Sequence, residues 1–180
     1  MSLCSEMLPL AFKLDGLDVL VVGAGAIGAR KAAQLVEAGA RVSVIAEEVR
    51  VTMPDGVANV TEQRYRPGDL AGYFLVVSAT GDPATNDLIV AEAAEARIWL
   101  NVVDDPERSS FYFMALHRQG DVTVAVSTSG ASPALAQALR SHVAEQLPTN
   151  LAEVATTLRN ERQALHERGA TTENLDWPAR

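Results

Sequence analysis

Short apolar runs alternate with longer stretches of helical period along most of the chain. Asp18-Val19-Leu20-Val21-Val22 ends at glycine, and Ala26 to Ala38 then repeats apolar positions every three to four residues until Gly39. Arg41 to Ala46 returns as a second apolar run, so the pattern predicts strand, helix and parallel strand in one βαβ unit. Val60 to Tyr65 alternates as an edge strand, and Tyr73 to Ser78 reads as a buried one closed by the turn Thr80-Gly81-Asp82-Pro83. A helix over about Ala84 to Ala96 leads to a fifth strand, Ile98 to Val103, which stops at Asp104-Asp105-Pro106. Beyond Pro106 the pattern changes. An aromatic cluster, Phe111 to Phe113, precedes a strand over Asp121 to Ser127. Ser132 as N-cap and Pro133 as first helical residue open a helix through Ala134 to Leu147, a further amphipathic helix covers Leu151 to Leu165, and a polar, frayed tail begins at Gly169. These elements predict an α/β fold, a Rossmann-type doubly wound parallel sheet followed by a small C-terminal α+β and helical region. The divisions expected are residues 1–113, 114–148 and 149–180.

Composition narrows the classes without changing that picture. The chain has 180 residues, 48% hydrophobic and 21% charged, as a globular protein with room for one domain and a small appendage should. Its formal charge of −8 argues against nucleic acid or anionic lipid as partner. No apolar stretch has membrane-spanning length, and Met1 to Leu10 lacks the basic start of a signal peptide. The single cysteine, Cys4, has no disulfide partner within the chain, which suits a reducing cytoplasm.

The first chemistry to emerge is phosphate binding. Gly23-Ala24-Gly25-Ala26-Ile27-Gly28 is a GxGxxG loop between a strand and a helix. Its first glycine permits the tight turn, the second admits a pyrophosphate to the backbone, and the third lets helix and strand pack, while the helix N-terminus offers free amides. The acid that would take the adenosine ribose is open between Glu47 and Glu48, because Ala46 stands at the usual strand-end position. With no arginine directly after them, and Arg50 further on, NAD is expected rather than NADP. His117, His142 and His166 lack metal-ligand spacing, so no metal site is expected.

Several motifs are more specific than the glycine loop. Leu8-Pro9-Leu10, the segment Gly23 to Lys31, Ser78-Ala79-Thr80-Gly81-Asp82, Asn101-Val102-Val103-Asp104, and Val124 to Pro133 with its Ser127-Thr128-Ser129-Gly130 turn together resemble the precorrin-2 dehydrogenases of sirohaem synthesis, over roughly Leu8 to Pro148. The resemblance implies oxidation of precorrin-2 to sirohydrochlorin with NAD, Asp104 as acid/base group, Ala79, Thr80, Asn101 and Val102 at the cofactor, and a homodimer built by the C-terminal part. It implies that methylation belongs to another protein and leaves open whether the chain also inserts iron. It further suggests that Ser127, Thr128, Ser129 and Arg118 hold the substrate, with Arg108, His117 and Arg140 as nearby cations, although Ser129 stands where the family commonly has glycine. From geometry alone, Asp104 falls at the carboxyl end of a parallel strand, where open α/β sheets bind ligands. The rival reading is a non-catalytic, NAD-sensing regulatory domain. Such domains usually carry an acid where Ala46 stands, and that reading leaves Asp104 and the Ser127 to Pro133 segment unexplained.

Overall fold

The computed structural model describes residues 7–169, and Cys4 and the tail beyond Gly169 lie outside them. The described residues fall into two compact units that divide between Tyr112 and Phe113. In the first, β1 (Asp18–Ala24), β2 (Arg41–Val49), β3 (Asn59–Glu62), β4 (Leu75–Ser78) and β5 (Trp99–Val102) form one sheet in the order β3-β2-β1-β4-β5, with every neighbouring pair parallel. Helix α1 (Ala26–Glu37) links β1 to β2, and α2 (Pro83–Ala96) links β4 to β5. The chain leaves β1 toward one edge and returns at β4 to build the other, so the sheet has its switch point between β1 and β4.

Strand alternation divides the core. Leu20 and Val22 of β1 share one cluster with Val76, Leu100 and Val102, under Ile89 and Ala93 of α2. Val19 and Val21, wholly buried on the opposite face, point the way of α1, whose Gly28, Ala32 and Leu35 are buried. A parallel sheet covered on both faces explains why the strands read as continuous Val- and Leu-rich runs.

In the second unit, β6 (Ala115–Gln119) and β7 (Val122–Val126) make an antiparallel hairpin against which α3 (Pro133–Gln146) and α4 (Leu151–Glu167) pack. The fold departs from the sequence expectation in several places, among them β3, which ends at Glu62 rather than Tyr65. β6 was not anticipated, because its Leu116-His117-Arg118-Gln119 run is too polar to signal a strand without its partner. Tyr73 and Phe74 precede β4 rather than belong to it, although the Phe74 amide still bonds the Asp18 carbonyl at 2.9 Å. β2 runs through Glu47 and Glu48 to Val49, held past an irregularity in β1 where Ala24 pairs with Val49.

Candidate functional site

The site begins with the backbone of the glycine loop. Gly23 has φ +110°, and a Cβ there would lie 2.6 Å from the Ala79 carbonyl oxygen, so the turn leaving β1 rides directly over the end of β4. A Cβ on Gly28 would meet the Gly23 carbonyl oxygen at 2.0 Å, which fixes α1 against the strand it follows. At Gly25 a Cβ would meet nothing within 4 Å, and this residue is the N-cap of α1. No side chain caps that helix end. Its first amides, from Ala26 onward, therefore keep their donors for an incoming anion, with the positive end of the helix dipole behind them. The end of α2 is different, because the Asp82 carboxylate accepts from the Thr85 amide at 2.9 Å and from its hydroxyl. Those bonds, the hydroxyl's first, hold the Asp82 carboxyl below the usual carboxylate range.

A cavity of about 1040 Å³ opens at the C-terminal ends of β1, β2 and β4. Gly23, Ala24 and Gly25 form one wall, and Ala46, Glu47 and Glu48 form the end beneath β2. Ala79 and Thr80 line the side toward β4, in a turn held where Asn86 accepts from the buried Ser78 hydroxyl at 2.6 Å and donates to the Thr80 carbonyl at 3.4 Å. Among the cofactor residues expected from sequence, these loop, β2 and β4 residues come together. Ala26, Ile27 and Gly28 form the first turn of α1 and do not line the cavity wall. Asn101 and Val102 also lie off it: the Asn101 amide donates to the Phe111 carbonyl at 3.0 Å, and Val102 is buried in the core.

Sequence reasoning missed Gln63, Arg64 and Asp82 as cavity residues. Arg64 donates to Glu47 through Nε at 2.9 Å and Nη2 at 2.7 Å, and Arg50 donates to Glu48 at 3.0 Å. No local pattern announces this meeting, which follows from the parallel register of β2 and β3: Ala46 sits beside Glu62, and Arg64, two residues past Glu62, comes to Glu47.

Asp104 lies just past β5, exposed, with φ +60° in the left-handed region. Because β1, β4 and β5 run parallel, this turn is at the same carboxyl end of the sheet as the glycine loop. Lys31 of α1 is close enough to feel the Asp104 charge. Burial pushes the Lys31 ammonium down to about 8, Arg30 adds to that, and Asp104 opposes it. Asp105 is occupied differently, in an ion pair with Arg108, which also donates to Asp87 at 2.7 Å. Arg108 is thereby committed within the first unit.

In the second unit, the Thr128 hydroxyl donates to the Ser132 carbonyl at 3.0 Å and accepts the Ser132 amide at 3.1 Å, closing the turn on itself. The Ser129 amide donates to the Ser127 hydroxyl at 3.1 Å, and Ser129 itself has φ +53°. Ser132 caps α3 by accepting from Leu135 at 3.2 Å, as its position promised. Arg118 is exposed on β6, and Arg140 donates to Gln137 at 2.9 Å on α3. Among the described residues no three His, Cys, Asp or Glu side chains gather to hold a metal, and no helix is long and apolar enough to cross a membrane.

Comparison with known proteins adds an identity to this geometry. Residues 10–115 match the family described as "Putative NAD(P)-binding", and residues 119–146 match "Sirohaem biosynthesis protein central". A siroheme synthase of Aeromonas hydrophila is 38% identical over 152 residues, covering 83% of this chain and 32% of its own length. One from Methylococcus capsulatus is 39% identical over 170 residues, covering 90% and 36%. The chain thus spans about a third of the length of these curated relatives. Among solved structures, "SirC, precorrin-2 dehydrogenase" superposes with a TM-score of 0.70 at 23% identity, over 94% of this chain and 83% of that one, and so shares its fold. With the NAD(P)-binding model matching more than half of the chain, and the sirohaem biosynthesis model matching within the second unit, the chain belongs to the NAD(P)-binding family that the first model describes.

Proposed function

We propose that this chain oxidises precorrin-2 to sirohydrochlorin with NAD, in the cytoplasm. The observation that carries the reading is Asp104, an exposed carboxylate on a left-handed turn at the same carboxyl end of the sheet as an uncapped helix end and its glycine cradle. The fit to a dinucleotide rests on that helix end: Gly25 has open space where a side chain would stand, and the α1 amides have no competing cap. Bound there, the dinucleotide would take a hydride from the macrocycle.

The chain's own residues do the rest. Gly23 and Gly28 hold the loop in register over Ala79, and Glu47 or Glu48 accepts from the adenosine ribose hydroxyls. The Asp104 carboxylate receives the proton that leaves the macrocycle with the hydride, then returns it to water, to which it is exposed. Two hydrogens leave the substrate, one as hydride and one as proton, so the step balances. We assign the second unit's Ser127, Thr128, Ser129 and Arg118 to the substrate's carboxylates, and the exposed apolar residues of α3 to a homodimer. The names of the relatives, siroheme synthase and precorrin-2 dehydrogenase, support the substrate.

The test is anaerobic turnover of precorrin-2 with NAD, followed by absorbance of sirohydrochlorin and NADH. Asp104→Asn is expected to lower kcat by about 100-fold or more, the ordinary weight of a general base, while NAD binding persists. Wild-type turnover in that variant removes Asp104 from the chemistry, and a wild-type protein that binds NAD without product formation overturns the enzyme assignment.

A further inference from the structure

The adenosine end of the cavity carries two acids and two arginines, paired one to one. Arg64 reaches Glu47 from the segment after β3, with both donors on the same oxygen, Oε1, at 2.9 and 2.7 Å. Arg50 reaches Glu48 from just past β2 at 3.0 Å. All four line the cavity. A carboxylate at this position normally excludes a 2′-phosphate by repulsion, and an arginine beside it accommodates one. Here each carboxylate is already matched by a guanidinium.

The pairs are also easy to exchange. The Arg64 side chain is 79% exposed and its Glu47 partner 65%, so water solvates either group when the pair opens, and exposed pairs of this kind hold together weakly. A phosphomonoester carries nearly two negative charges near neutral pH and accepts a guanidinium bidentately, which makes it a stronger partner than a solvated carboxylate. Among the described residues, Asp82 also interacts with Arg64, and its carboxylate is held as the cap of α2 by Thr85. With a plain ribose, Oε1 of Glu47 keeps Arg64 and Oε2 is left for the hydroxyls.

We propose that Arg64 sets the choice between NAD and NADP: by neutralising Glu47 and turning to a 2′-phosphate when one is present, it lets this chain bind both dinucleotides with comparable strength. The inference rests on the dinucleotide occupying this cavity, as the proposed function requires, and it extends that reading to a second cofactor.

Calorimetric titration of the whole chain with NAD and with NADP tests it, read as the ratio of the two Kd values. In the wild type the ratio stays within about tenfold. In Arg64→Ala it shifts at least about tenfold against NADP, the scale of one lost charge-assisted bidentate contact. In Glu47→Gln it shifts toward NADP. A change in folding weakens both ligands together and leaves the ratio unmoved, so a constant ratio in Arg64→Ala overturns the role of Arg64. A wild type that binds NAD and rejects NADP by more than about tenfold overturns the proposal while sparing the proposed function, whereas binding of neither dinucleotide removes both.

Discussion

At the scale of the residue, Asp104 and Ser129 share a backbone that L side chains seldom adopt, at φ +60° and +53°. Asp and Asn tolerate the left-handed region because a short polar side chain can bond locally, whereas Ala and Ser have less to offset the crowding of Cβ. Asp104→Asn therefore keeps its fold better than Asp104→Ala, and thermal melting of the pair should place the Ala variant lower. Ser129→Gly relieves strain of about 1–2 kcal/mol and loses part of that to the freer unfolded chain, for a net gain of up to about 1 kcal/mol in denaturant unfolding. Lys31 offers a pH test. Its ammonium is pushed down to about 8 from an ordinary 10.5, so between those values the unfolded chain holds more protons than the folded one. Stability from this residue therefore rises as pH climbs from 8 to 10.5 and is lost as pH falls back through 8. Lys31→Met should flatten that segment of the stability profile. Lys13 and Lys31 are the chain's two lysines, so NMR of the methylated amines resolves the midpoint directly, and a value for Lys31 near 10.5 contradicts the burial argument.

At the scale of the element, two helices that start at the same carboxyl end of the sheet are finished differently. α2 is closed by Asp82, with Pro83 behind it, and α1 is left open at Gly25. One end is closed by the chain's own side chain, and the other keeps its amides uncapped, as the proposed dinucleotide site requires. Gly25→Asp should separate the two roles: the space for its side chain exists, the new carboxylate caps α1, and thermal stability holds or rises. Dinucleotide binding then falls by about 100-fold or more, because a fixed negative charge occupies the phosphate position. A variant that binds normally would move the phosphate site away from α1. At α2, the low carboxyl of Asp82 makes its cap a stabilising contact above the ordinary carboxylate value of 3.8, one that is lost as pH falls through the lower folded value. The difference in stability between wild type and Asp82→Asn should accordingly be constant near neutral pH and shrink in acid, as acid titration of both proteins would record.

At the scale of the whole molecule, the second unit buries little of its apolar surface. Leu135 and Leu139, one turn apart on α3, are 51% and 43% exposed, and no residue of α4 is buried. Exposed leucines at that spacing form a stripe suited to a second copy, in keeping with the proposed homodimer. Leu139→Glu is expected to shift the protein toward monomer in sedimentation, and an unchanged sedimentation coefficient would exclude this face from the interface.

Much of this was legible in the order of residues. The parallel sheet, the βαβ unit, the Ser132 cap and the close approaches that require glycine at 23 and 28 follow from contacts within a few dozen residues, where strand alternation, helical period and missing Cβ atoms act locally. The tertiary structure alone decided which charges meet. It brought Arg64 to Glu47 across 17 residues through the register of β2 and β3, tied Arg108 to Asp87 and Asp105, took Asn101 into a bond with Phe111, and paired β6 with a strand its own composition does not announce. The physical reason is that an ion pair or a strand pairing is a property of two distant segments, and a periodic pattern within either one carries no record of its neighbour.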